Sequence, residues 1–114
     1  MFPHWFTAAF KNYAEKEAAL PVDQHQLVAL LAPRPVYVAS ASEDAWADPR
    51  GEFLAAAAAS PAYHLYGMTT NQFAQMPAAG QVLLGPISYH LRAGKHDMVE
   101  FDWLHFLDFA DKHL

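Results

Sequence analysis

Asp44 and His96 are the residues whose types and settings suit proton chemistry best. An imidazole with an ordinary pKa of about 6.5 takes and returns a proton at neutral pH. A carboxylate beside it fixes the tautomer and stabilises the imidazolium. Both residues fall in polar loops that follow short apolar runs. Asp44 stands three residues past Val36-Tyr37-Val38-Ala39-Ser40-Ala41, and His96 stands four past Ile87-Ser88-Tyr89-His90-Leu91-Arg92. A loop acid followed later by a loop histidine is the tail of the chain order Ser, Asp or Glu, His used by α/β-hydrolases. The competing acids of the first loop are Glu43 and Asp48, and Asp48 fits better as a helix cap before Pro49.

No nucleophile accompanies the pair. The serines are Ser40, Ser42, Ser60 and Ser88, and none has the small flanking residues of a G-x-S-x-G elbow. The order of the motif therefore predicts that serine, elbow and oxyanion donors lie in a part of the protein upstream of Met1. Seven histidines invite a metal site, but none forms a pair at H-E-x-x-H spacing, and the reading predicts no metal and no cofactor.

The elements that must position Asp44 and His96 are the two apolar runs, read as strands of a parallel sheet whose carboxyl ends carry the ligand site. The first is read as buried on both faces. A helix is expected from Pro3 to about Ala19 with Phe6, Phe10 and Tyr13 on one stripe, ended by Pro21. A second should start at Asp23, with Gln26 completing a capping box and Leu27, Leu30 and Leu31 buried. A third should run from Pro49 to about Ala59, its alanine run packed close on the sheet, with Pro61 ending it. Tyr63 to Tyr66 suits a short strand. The stretch from Gly67 to Pro86 reads as a long loop with one helical turn around Phe73, serving as a plain connection or the rim of a cleft. The last helix, Glu100 to His113, should pack through Trp103, Phe106, Leu107 and Ala110, with Asp102, His105, Asp108 and Lys112 opposite. His90 and Arg92 are expected to be structural hydrogen-bonders.

With 114 residues and 54% hydrophobic content, the chain is one domain or less. A topology ending in the acid and histidine loops usually needs more than about 200 residues, so the sequence is read as the C-terminal part of a single α/β-hydrolase domain with an incomplete sheet. On that reading Met1 falls inside the domain. A net charge of −5 with no basic stripe argues against nucleic acid. No run approaches the roughly 18 to 20 apolar residues of a membrane span, and no signal peptide is visible. The absence of cysteine excludes disulfides and thiol catalysis.

Several blocks together resemble the C-terminal part of bacterial glucuronoyl esterases, carbohydrate esterase family 15. They are Leu20-Pro21-Val22-Asp23-Gln24-His25, Ala32-Pro33-Arg34-Pro35, Glu43-Asp44-Ala45-Trp46-Ala47-Asp48-Pro49-Arg50-Gly51-Glu52-Phe53, Tyr89 to Asp97, and Asp102-Trp103. The resemblance runs from Trp5 to His113. It implies a serine esterase cleaving esters of 4-O-methyl-glucuronic acid, including those joining glucuronoxylan to lignin alcohols, in a secreted or periplasmic enzyme. By that resemblance His96 is the general base, and Trp46 lines the glucuronoyl site, its indole offering an apolar face and an N–H donor. The triad acid is then Asp44 or a Glu upstream of Met1. Two alternatives stay open: another α/β-hydrolase such as an acetylxylan esterase, and a non-catalytic interaction module.

Overall fold

The computed structural model describes residues 3–113. The expectation about Met1 lies outside them. Seven regular elements follow in order: α1 Ala8–Lys11, α2 Gln24–Ala29, β1 Val36–Ala41, α3 Pro49–His64, β2 Gln81–Leu83, β3 Ile87–Arg92 and α4 Glu100–His113. The strands form one mixed sheet in the order β1-β3-β2, with β1 parallel and β2 antiparallel to β3.

Side chains alternate across this sheet with period two. Val36, Val38, Ile87, Tyr89 and Leu91 turn toward α3, where they join Phe53, Ala56, Ala59 and Tyr63 in two adjoining apolar clusters. Tyr37 and His90 turn the other way, onto Phe101, Phe106 and Phe109 of α4. The result is helix, sheet, helix. Central β3 is buried along its whole length, whereas β1 is only half-buried before Ser40 because β3 flanks it on one side only. The expectation that β1 is buried on both faces is therefore corrected; burial of that kind is found at β3.

The small side chains of α3 allow its close approach: Ala56 and Ala59 are fully buried against the sheet. Asp48 caps this helix by accepting from the Gly51 N–H at 3.1 Å. A Cβ on Gly51 would stand 2.3 Å from the Asp48 carboxylate, so only glycine fits beneath that cap. The helix passes through Pro61 to His64, which corrects both the expected stop at Ala59 and the expected strand at Tyr63 to Tyr66. Packing outweighs the proline here. Tyr63 is fully buried, and its hydroxyl donates to the Arg34 carbonyl at 2.8 Å, fixing the last turn against the entry to β1.

Other expectations are also corrected. The single helix from Pro3 to Ala19 is replaced by short turns around α1, because none of the described side chains of that segment is buried and Glu15 takes a left-handed φ of 59°. In α2 the capping box of Asp23 and Gln26 forms as expected. Its inward residues, however, are Val28 and Ala29, while Leu27, Leu30 and Leu31 are exposed. The turn around Phe73 is present as a 3₁₀ segment, Asn71–Ala74. The three-residue β2 was not expected; it is too short to carry an alternation of its own and owes its extension to pairing with β3.

Candidate active site

The parallel register aligns Ala41 with Arg92, so the acid loop and the histidine loop leave the sheet side by side at the carboxyl ends of their strands. Backbone bonds stitch the two loops together. The Ser42 N–H donates to the Arg92 carbonyl and the Glu43 N–H to the Gly94 carbonyl, each at 2.9 Å. The Gly94 N–H in turn donates to the Ser42 hydroxyl at 3.3 Å. Gly94 has a φ of 108°, a conformation that side-chain-bearing residues rarely adopt.

This scaffold brings together the pair that the sequence singled out. His96 Nδ1 lies 2.5 Å from Asp44 Oδ2, and because a carboxylate only accepts, the ring donates from Nδ1. In the neutral ring this tautomer leaves the lone pair on Nε2. The environments of the two side chains differ sharply: that of Asp44 is 10% exposed and that of His96 87%. The carboxylate is thus anchored while the imidazole faces outward. Trp46, 84% exposed, lines an open cleft of about 660 Å³ together with Trp5, Lys95, Asp44 and His96. All three residues singled out from the sequence therefore border one cleft.

Behind Asp44 lies Glu52 of α3, which accepts a 2.6 Å bond from the Ser40 hydroxyl. Burial pushes its carboxyl above the ordinary value. The Ser40 bond opposes this, the charges of Asp44 and Asp48 add to it, and His96 lowers it. Ser40 serves Glu52, Ser42 accepts from Gly94 and Ser88 donates to the Gly85 carbonyl at 3.0 Å. Ser60 is buried within α3, its hydroxyl without a hydrogen-bond partner among the described residues. Among the described residues, no group of three or more His, Asp or Glu is gathered to hold a metal ion, and no helix is long and apolar enough to cross a membrane.

The sequence reading missed the polar network under the histidine loop. His90 and Arg92 do serve as structural hydrogen-bonders, but their partner is Asp102, which the amphipathic pattern places on the outer face of α4. Asp102 Oδ1 accepts from His90 Nε2 at 2.8 Å, and Oδ2 accepts from Arg92 Nε at 2.8 Å and from the Val99 N–H at 2.8 Å. On the other side of His90, the Tyr37 hydroxyl donates to Nδ1 at 2.9 Å. The side chains of His90, Arg92 and Asp102 are buried, and that of Tyr37 is half-buried. Burial holds His90 below the ordinary histidine value; the Asp102 bond and charge oppose that, and His105 and Arg92 add to it. Tyr37 is pushed up to about 12, by burial first and then by the charges of Asp102 and Asp108. For Asp102, burial alone would raise the carboxyl, but the Val99 N–H, His90 and Arg92 together hold it below the usual range. The helix face is consequently rotated from the expected one. Trp103 and Leu107 are exposed, and Phe101, His105, Phe106 and Phe109 turn toward the sheet.

Comparison with known proteins follows the same lines. Residues 2–67 match the family described as "Glucuronyl esterase, fungi". "Carbohydrate esterase MZ0003" from an unknown prokaryotic organism is 49% identical over 113 residues, covering 99% of this chain and 26% of that protein. "4-O-methyl-glucuronoyl methylesterase 1" of Wolfiporia cocos (strain MD-104) is 34% identical over 64 residues, covering 56% of this chain and 16% of the other. Among solved structures, a promiscuous CE15 esterase from the marine bacterial metagenome superposes with a TM-score of 0.90 at 47% identity, over 99% of this chain and 28% of that one. A glucuronoyl esterase from Solibacter usitatus does so with a TM-score of 0.90 at 46% identity, over 97% and 28%. The chain thus spans about a quarter of the length of the bacterial proteins it resembles.

Proposed function

The chain belongs to the glucuronoyl esterases of carbohydrate esterase family 15, and from that premise we propose that it is the proton-handling C-terminal part of an α/β-hydrolase domain acting on 4-O-methyl-glucuronoyl esters. The observation that carries this reading is the 2.5 Å contact between an anchored Asp44 and an outward His96. Nucleophile and oxyanion donors come from the part of the domain that lies outside these 114 residues. The substrate is the ester between a glucuronic acid on xylan and an alcohol, including lignin alcohols, and Trp46 lines the sugar side.

The chemistry follows from the tautomer. With Nδ1–H held by Asp44, His96 Nε2 accepts the proton of the serine hydroxyl as its oxygen adds to the ester carbonyl. Asp44 stabilises the imidazolium formed in that step. The same proton then passes from Nε2 to the leaving alcohol oxygen as the carbon–oxygen bond breaks, leaving a glucuronoyl-serine ester. Water repeats the cycle: its proton passes to Nε2 as it adds to the carbonyl, and from Nε2 to the serine oxygen as the acyl–oxygen bond breaks and the acid is released.

The test is ester hydrolysis by the chain joined to its nucleophile-bearing part, on benzyl glucuronate and on acetylated xylan. Release of benzyl alcohol in strong preference to acetate is expected. Preference for acetate would replace this reading with an acetylxylan esterase, and no hydrolysis of either would favour an interaction module.

A further inference from the structure

His96 itself is exposed, yet the loop carrying it is tied from beneath by one buried side chain. The Arg92 guanidinium donates from Nη1 to the Ala93 carbonyl at 3.1 Å and from Nη2 to the Lys95 carbonyl at 2.8 Å and to the Asp97 carbonyl. The last two flank His96 on either side. Nε, at the other end of the fork, is held by Asp102, which also binds His90 and the first turn of α4. A planar fork with donors in fixed directions can span the carboxylate and several carbonyls at once, and an ammonium cannot reproduce this geometry. Gly94 completes the device: a Cβ there would stand 3.3 Å from Arg92 Nη1, in a backbone conformation that glycine favours.

We propose that Arg92 is a positioning residue for His96, clamping the carbonyls of residues 95 and 97 so that the imidazole is presented to Asp44 in a single orientation. Arg92 acts through the backbone of the loop, with Asp102, itself held by His90, fixing the guanidinium from behind. The kinetic consequence rests on the reading of His96 as general base, whereas the structural consequence does not. An imidazole misplaced by about 1 Å costs on the order of 100-fold in rate.

The test compares wild type with Arg92→Lys in the chain joined to its nucleophile-bearing part. Nitrogen-15 NMR of the His96 ring should show one Nδ1–H tautomer in wild type and a mixture in the variant. The kcat on a glucuronoyl ester should fall roughly 10- to 100-fold with KM within about twofold. A folded variant that keeps the wild-type tautomer would overturn the proposal, even if its melting temperature drops, because a purely structural role moves stability and leaves the ring alone. Should Arg92→Lys not fold, wild type alone decides through the Arg92 Nη resonances. Separate, slowly exchanging signals are expected for a clamped guanidinium, and averaged signals would refute the clamp. A wild type inactive on the ester would sink the esterase reading, leaving the tautomer and Nη measurements to judge Arg92.

Discussion

In the proposed mechanism His96 and Asp44 do different work, and substitution should separate them. Removing the imidazole leaves nothing to accept the serine proton, so His96→Ala should lower kcat by about 1,000-fold or more in the complete enzyme, with little change in KM. Asp44→Asn keeps a polar group near Nδ1 but can hold the wrong tautomer. If a glutamate from the upstream part shares the role, its loss should be clearly smaller than that of His96. Steady-state kinetics on benzyl glucuronate checks both, and near-wild-type turnover by the His96 variant would remove it from the mechanism. The sequence made this pair legible because each residue sits in a short polar loop after a strong strand signal, and loop position follows from strand position. Arg92 and Asp102 were harder to place. Their partnership joins a strand to a helix ten residues on, and an amphipathic pattern assigns a carboxylate to the solvent by default.

At the scale of elements, α4 and β3 meet through that polar seam, and its titration predicts how stability depends on pH. His90 is held below its ordinary value, so the unfolded chain binds a proton that the folded one resists, and stability falls as pH drops below about 6.5. Asp102 is also depressed, so its contribution is present above about 3.9 and is lost as pH falls through its lower folded value. Glu52 runs the other way, its raised value making its charge a penalty that eases as pH falls. The His90 part is isolated by His90→Gln in the longer enzyme: the decline in melting temperature between about pH 7 and 5.5 should be shallower in the variant than in wild type. Equal slopes would show that His90 is not held neutral by the fold. The bounds of β1, β3 and α4 coincide with their sequence expectations, while α3 runs past Pro61 because burial of Tyr63 lies outside any local rule. Since proline in a helix interior costs about 3 kcal/mol relative to alanine, Pro61→Ala should stabilise the enzyme by about 1–3 kcal/mol in urea unfolding. A loss instead would mean that the helix is bent at Pro61 to fit the sheet.

The molecule as a whole carries more surface than its mass warrants. Its accessible area is 7976 Å² for 12.7 kDa, against roughly 6,200 Å² for a folded monomer of that size. The radius of gyration is 15.2 Å, where about 13 Å is expected for a compact domain of this length. The excess is apolar in part: Leu30, Trp46 and Leu65 are three-quarters or more exposed, and Trp5, Trp103, Leu104 and Leu107 more than half. Strand β1 ends the sheet, so one of its edges is unpaired among the described residues, and an open edge recruits whatever strand it meets. Both features accord with the proposed reading, in which further strands continue this sheet. Expressed alone, the 114 residues should therefore self-associate or stay partly molten, binding a hydrophobic dye and melting without a sharp transition. Joined to the nucleophile-bearing part, the same residues should lose the dye signal and melt cooperatively. Size-exclusion chromatography and calorimetry on the two forms measure the difference, and a monomeric, cooperatively melting preparation of the 114 residues by themselves would contradict it.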